Sequence, residues 1–294
     1  MGTENAAGTF PRVQRLDAAQ MLAAVREITG IKLVVSGALE GGQVGAARVR
    51  WPDDGHESVL KWRPDFTVGA MRAGPVAALE ALRARGYPGP ATELVVQVGT
   101  AVVTVQELLP GNTIDVLDEQ QFDQVLALNA KHVGALAGRP DVPCNVMYLR
   151  HDGPGYCLHE PLRRFSARTA ELDRRIRAVG DASDERLQGF DVVHQDFHPG
   201  NMLTLGGDVT GVVDWDGAGR GDAGFDLVTL RFAVHLAGAE RRVVERLDAL
   251  LDALPEDVLR VAWAHMSLRM TDWAIRHFPS YEVGTWVDLA AERL

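Results

Sequence analysis

Cysteine is almost missing from this chain, with only Cys144 and Cys157 in 294 residues. The two form no CxxC pair and no zinc-type cluster, which excludes a disulfide framework and a cysteine-built metal site and leaves them a structural role. Lysine is scarce too: Lys32, Lys61 and Lys131 stand among abundant arginine. Each of them therefore invites a question about its partner. No apolar run approaches the roughly 20 residues of a bilayer span. The opening MGTENAAGTFPRVQRLD has no basic stretch followed by an apolar one, and a myristoylation pattern fails at Ala6. A cytoplasmic location and no membrane partner are expected. Basic charge is also short, with 30 Lys and Arg against 40 Asp and Glu for a net charge of −10. That argues against a nucleic-acid partner. An acidic surface suits a cationic small molecule, although it also serves solubility.

What is present falls into two unlike parts. Residues 31–62 read as strands joined by glycine-rich turns, on the alternation Arg48-Val49-Arg50-Trp51 and the β-branched run ending at Val35. Helical spacing follows over Ala70–Arg85 (Met71, Val76, Leu79, Leu82), stopped by GYPGP, and then two strand-like runs, ELVVQV and AVVTVQEL. The first third is thus predicted to be strands, one helix, then strands. After Leu108-Leu109-Pro110-Gly111-Asn112 the pattern turns helical, with helices expected near 118–137, 161–179, 222–236, 239–253, 256–276 and 285–294. No internal repeat or low-complexity tract interrupts it. A small β-rich lobe, a hinge and a larger helical lobe leave a cleft suited to a ligand.

The chemistry concentrates in residues 190–216. Asp191-Val192-Val193-His194 reads as a buried strand, and Gln195–Asn201 as a loop pinned by Pro199 and Gly200. Met202-Leu203 and Val209–Val213 then form a hairpin around Gly206-Gly207-Asp208. This hairpin delivers Asp214 near Asn201, with Asp196 on the loop before them. Phosphoryl transfer asks for such a set: a carboxylate to orient the acceptor hydroxyl, and hard oxygen ligands for Mg²⁺. The rival reading is a metallohydrolase built on His194-x-Asp196-x-His198. Against it, Pro199-Gly200 breaks the strand and no further His/Asp cluster lies nearby.

The string His194-Gln195-Asp196-Phe197-His198-Pro199-Gly200-Asn201, followed by Val213-Asp214-Trp215-Asp216, resembles the signature of the aminoglycoside phosphotransferase and choline kinase-like family. The resemblance implies an α+β, bilobal protein kinase-like fold. Its parts would be a nucleotide-binding lobe at 1–107, a hinge at 108–111, and a catalytic and substrate-binding lobe at 112–294. It implies ATP or GTP and Mg²⁺ as cofactors, Asp196 as catalytic base, Asn201 and Asp214 as metal ligands, and His194 as organiser of the loop. Asp226, within Gly221–Leu227, would brace that loop. Many relatives carry Gly where Gln195 stands, a departure that falls on no ligand. On the nucleotide side, the turn Gly37–Gly42 would lie over the phosphates through Gly41 and Gly42, though an ordinary turn reads the same way. Lys61, in Ser58–Trp62, would contact the phosphates, with Glu80 as its carboxylate partner because it is the only acid on the following helix. The backbone from Glu107 to Leu109 would hold the adenine edge.

For the acceptor, His198 and Asp216 flank the catalytic residues. The C-terminal helices carry Asp252, Glu256, Asp257, Asp272 and Glu282 with Trp263, Trp273, Tyr281 and Trp286. The acids suit a polyamine or aminoglycoside, and equally a wet helix face. The resemblance therefore implies a small-molecule kinase whose acceptor is an aminoglycoside or other natural-product antibiotic. A metabolite kinase of the choline, sugar-amine or homoserine type is one alternative, and a nucleotide-binding pseudoenzyme is another. The presence of Lys61, Asp196, Asn201 and Asp214 argues against the last.

Overall fold

The structure is a computed structural model, and it describes residues 15, 17–39 and 45–294. Gly41 and Gly42 lie outside the described residues. The amino-terminal part is one antiparallel sheet of five strands, β1 (Val34–Leu39), β2 (Ala46–Arg50), β3 (Glu57–Arg63), β4 (Thr92–Val98) and β5 (Ala101–Glu107), in the order β1-β2-β3-β5-β4. Strand period decides which residues face the core. Along β3, Ser58, Leu60 and Trp62 are buried while the residues between them are only partly so. Leu60 and Trp62 join Val49, Val103 and Val105 in an apolar cluster closed by Leu22 and Val25. Lys61, one residue out of phase, therefore projects from the opposite face. That is the face on which Met71 and Val76 pack against Val95 and Val102.

Two helices flank the sheet, where the sequence predicts one. The additional helix is α1 (Ala18–Thr29), capped by the Asp17 side chain accepting from Gln20 N–H at 3.0 Å and ended by Gly30 at φ 74°. The predicted helix is present in three pieces: α2 (Val68–Met71), a π turn over Arg72–Val76 and α3 (Ala77–Arg83). Pro75 sits inside the π turn. Without an N–H it cannot continue an α ladder, and the wider turn takes up one more residue.

The carboxy-terminal part begins with β6 (Asn112–Thr113) and α4 (Glu119–His132). The helix expected near 161–179 is two helices, α5 (His159–Phe165) and α6 (Ala167–Asp181). Ser166 is extended between them and forms a capping box with Thr169, which starts α6 afresh. Then come β7 (Asp191–Val193), β8 (Met202–Leu205), β9 (Asp208–Val212) and β10 (Gly219–Gly221). They are followed by α7 (Gly224–Ala237), α8 (Arg241–Asp252), α9 (Glu256–His277) and α10 (Val283–Ala291). The β8–β9 turn runs through Gly206 and Gly207 at φ 66° and 94°, the backbone that a two-residue hairpin needs and that glycine takes without strain. A continuous apolar core holds these elements, with Phe197, Met202, Val212 and Trp215 of the hairpin region buried among Phe225, Val228 and Leu230 of α7. Among the described residues no helix is long and apolar enough to cross a membrane.

Candidate active site

The loop between β7 and β8 carries Asp196 and is held from below by α7. Asp226, fully buried on α7, accepts from His194 N–H at 2.9 Å and from Gln195 N–H at 3.1 Å. His132 of α4 donates to the same carboxylate at 3.1 Å, and its other ring nitrogen meets the Tyr87 hydroxyl at 3.0 Å. A chain of buried polar groups thus runs from the segment after α3 to the Asp196 loop. His194 is fully buried with both ring nitrogens used: Nε2 donates to the Val213 carbonyl at 3.0 Å and Nδ1 accepts from Asp196 N–H at 3.2 Å. Burial lowers its pKa, as befits a neutral ring that ties the Asp196 loop to the strand end before Asp214. A nitrogen already engaged on each side has none to offer a metal, which removes the metallohydrolase arrangement.

Asp196 is held at both oxygens. Oδ1 accepts from Arg269 Nη2 of α9 at 2.7 Å, while Oδ2 accepts from Asn201 Nδ2 at 3.2 Å and lies 3.4 Å from His198 Nε2. Burial would raise its pKa, but Arg269 and then His198 outweigh it and hold the carboxyl far below the usual range. Asn201 also donates from Nδ2 to the Asp196 carbonyl at 2.9 Å. Its amide oxygen, a hard donor, is left for a cation.

Asp214 has a left-handed backbone (φ 65°, ψ 55°), a conformation Asp tolerates better than most residues. That turn brings its Oδ1 to 2.5 Å from Lys61 Nζ. Asp216 Oδ2 lies 2.7 Å from the same ammonium. Burial works against the lysine's charge, yet Asp216 and Asp214 together raise its pKa, and Lys61 in turn lowers that of Asp214. Arg63, two residues along β3, donates to the Asp216 carbonyl.

One expectation needs correction. Glu80 is exposed on α3, and the carboxylates facing Lys61 are Asp214 and Asp216. The extra residue of the π turn rotates everything after it by about 100°, the angle of one residue on a 3.6-residue helix, so Ala78, Leu79 and Leu82 turn inward and Glu80 outward. Asp216 faces Lys61. At the end of β5, Glu107 N–H is donated to the Ala91 carbonyl at 2.9 Å, and its carboxylate accepts from Ala91 N–H. The Leu109 N–H carries no such bond among the described residues. Of the acids on the C-terminal helices, Asp272 is buried and held by Arg276 at 2.8 and 2.6 Å, and Asp252 pairs with Arg293. Trp263 and Trp286 belong to the core, while Tyr281 is exposed. Arg269, which grips Asp196, was not expected at all.

With this geometry established, comparison with known proteins becomes informative. A model of the phosphotransferase enzyme family (APH) matches residues 49–265, well over half the chain. The chain belongs to this family. No curated protein sequence matches it significantly. Among solved structures, it is similar to a thermostable mutant of aminoglycoside phosphotransferase APH(4)-Ia in ternary complex with ADP and hygromycin B. The TM-score is 0.56 at 15% identity, covering 92% of this chain and 99% of that one. A microcompartment-associated aminopropanol kinase gives a TM-score of 0.55 at 18% identity, covering 92% and 94%. The APH(3'')-Id enzyme of Streptomyces rimosus gives 0.53 at 20% identity, covering 85% and 97%. The fold is therefore the kinase-like one, and the protein is a small-molecule phosphotransferase of the APH family.

Proposed function

We propose that the protein transfers the γ-phosphoryl group of ATP or GTP to a hydroxyl of a small molecule, in the cleft between the lobe ending at Glu107 and the helical lobe from Asn112. The observation that carries this reading is the meeting of Lys61 with Asp214 and Asp216 at 2.5 and 2.7 Å, beside a fixed Asp196–Asn201 pair. In that reading Asp196 orients the acceptor hydroxyl and receives its proton. Lys61 steers the phosphates, and the N–H of Leu109, unbonded among the described residues, meets the base edge. The Asn201 amide oxygen and the Asp214 carboxylate fit Mg²⁺, which takes one or two protein oxygens together with phosphates. When bound, the ion offsets charge on the phosphoryl group in flight.

The acceptor we favour is an aminoglycoside or related natural product, supported by the kinship of the fold with enzymes that carry that name. A metabolite kinase is the second reading, and a specific observation favours it. Two of the five acids that would hold a polycation, Asp272 and Asp252, are already paired with Arg276 and Arg293, and Arg269 stands beside the base. A small amino alcohol asks for fewer anionic contacts than an aminoglycoside does. A coupled nucleotide-consumption assay with Mg-ATP and Mg-GTP decides between them, run against hygromycin B, other aminoglycosides, aminopropanol, choline and homoserine. Turnover with one class, lost at least about 100-fold in Asp196→Asn, is expected. Turnover unaffected by Asp196→Asn would refute the role given to Asp196, and no turnover with any acceptor would refute the kinase reading.

A further inference from the structure

Arg269 reaches the catalytic loop from α9, 73 residues away in the chain. Its guanidinium divides between two successive residues: Nη1 donates to the Gln195 carbonyl at 2.7 Å and Nη2 to Asp196 Oδ1 at 2.7 Å. We propose that Arg269 is the positioning residue of the transfer, setting the orientation of the Asp196 carboxylate so that one lone pair of Oδ1 meets the acceptor hydroxyl. This rests on the reading of Asp196 as the base.

The stereochemistry supports it at each step. A carboxylate offers about four lone-pair sites. At Oδ2 both are taken, one by Asn201 Nδ2 at 3.2 Å and one facing His198 Nε2 at 3.4 Å. At Oδ1 Arg269 is the only partner among the described residues, so the remaining site lies on the oxygen that Arg269 fixes. Gln195, the residue just before, stands at φ 68°, in the left-handed region that costs a non-glycine residue about 1–2 kcal/mol. Its peptide is clamped from both sides, with N–H to Asp226 Oδ1 at 3.1 Å and C=O to Arg269. Asp226 thus fixes where the loop runs, and Arg269 fixes which way its carboxylate faces. A planar fork holds a carbonyl and a carboxylate on adjacent residues in one fixed geometry, whereas lysine would keep the charge as a point on a flexible stem and lose that geometry. In the transfer, the acceptor oxygen bonds to the γ-phosphorus and the bond from phosphorus to the β–γ bridging oxygen breaks. Its electron pair leaves with the nucleoside diphosphate, and the hydroxyl proton passes to Oδ1 of Asp196.

The test is a double-mutant cycle on the full chain with Arg269→Gln and Asp196→Asn, followed by transfer from Mg-ATP to water and to the panel alcohol that turns over. Arg269→Gln is expected to lower kcat about 30- to 100-fold with KM for ATP within about twofold, the scale of a base misplaced by about 1 Å. In the Asp196→Asn background it is expected to change kcat by less than about twofold, because its effect passes through that carboxylate. Arg269→Lys should fall between, at about 10-fold. It also serves as the probe if the Gln variant does not fold, which an unfolding midpoint shows. A parental kcat in both Arg269 variants overturns the proposal, and so does a loss that multiplies with that of Asp196→Asn. An active Asp196→Asn enzyme would instead remove the base itself, a separate result that overturns the reading beneath and this inference with it.

Discussion

Replacing Asp226 by Asn is the most demanding test of how the Asp196 loop is held. The side chain is fully buried and accepts three hydrogen bonds, from His194 N–H, Gln195 N–H and the His132 ring. Oδ1 serves Gln195, and Oδ2 serves both His194 and His132. Asparagine is nearly the same shape but has one acceptor and one donor end. Whichever way its amide turns, an NH₂ faces a backbone N–H, and a buried donor is left without an acceptor. Losing a charge-assisted bond costs about 1.5–3 kcal/mol, and the orphaned N–H about 1–3 kcal/mol. Relaxation of the loop recovers part of this, so a net loss of about 3 kcal/mol is expected. At roughly 2 °C per kcal/mol for a chain of this size, the unfolding midpoint should fall by about 6 °C. Activity should fall more than stability does, because the peptide that moves carries Asp196. Differential scanning fluorimetry and steady-state kinetics on the same preparation read both. A midpoint within about 1 °C of the parent, with kcat preserved, would refute the view that this carboxylate holds the loop.

Two further outcomes follow from single residues. His265 on α9 is buried, donates from Nδ1 to the Met147 carbonyl, and is pushed down to about 4, mainly by burial. Its ordinary value is 6.5, so as pH falls from there towards 4 the unfolded chain binds a proton that the folded chain refuses. Stability present above about pH 6.5 should be lost over that window, by about 3 kcal/mol in all. Denaturant titrations on His265→Gln should show a slope shallower by about 1.4 kcal/mol per pH unit, and an unchanged slope would refute the assignment. At Gln195 the left-handed backbone decides the sign: Gly should be neutral or up to about 1 kcal/mol stabilising, and a β-branched Val clearly destabilising. A midpoint lowered by Gly as much as by Val would show that the backbone strain does not matter there.

The parts of the site that were legible in sequence are those in which local chain order is also spatial order. His194, Asp196, Asn201 and Asp214 sit within one strand–loop–hairpin, so turn chemistry and strand period bring them together without knowledge of the rest of the fold. Lys61 was legible because a lone lysine in an apolar strand needs an anion. Its partner was not, since elimination on the following helix assumes a regular helix, and Pro75 makes a π turn that sends Glu80 outward. The five-residue step from Met71 to Val76 carried that signal. The helix α1 was equally readable, from the Asp17 cap to the glycine stop at Gly30, and so was the Ser166 break between α5 and α6. Arg269 left no local trace. On a helix of mixed polarity one arginine looks like another, and only the tertiary packing of α9 against the loop distinguishes it.

On the proposed function, the charges around the site mark what nucleotide binding would have to change. Lys61 stands between Asp214 and Asp216, and Arg269 is spent on Asp196. Asp196 and Asp214 therefore each have a cation of the chain's own beside them, which holds both carboxyls low despite their burial. The pairs differ in what they permit. The contact of Lys61 crosses the cleft between β3 and the loop after β9, and its lysine is a flexible point charge with a single stem. It can pass from a carboxylate to a phosphate by rotating side-chain bonds alone. The contact of Arg269 is a planar fork divided between a backbone carbonyl and a carboxylate, on a helix packed into the core. Letting go would orphan the carbonyl of a residue already held at φ 68°. On the proposed function, the same electrostatic pairing is thus exchangeable at Lys61, where phosphates would come and go, and fixed at Asp196, the base that would have to stay still.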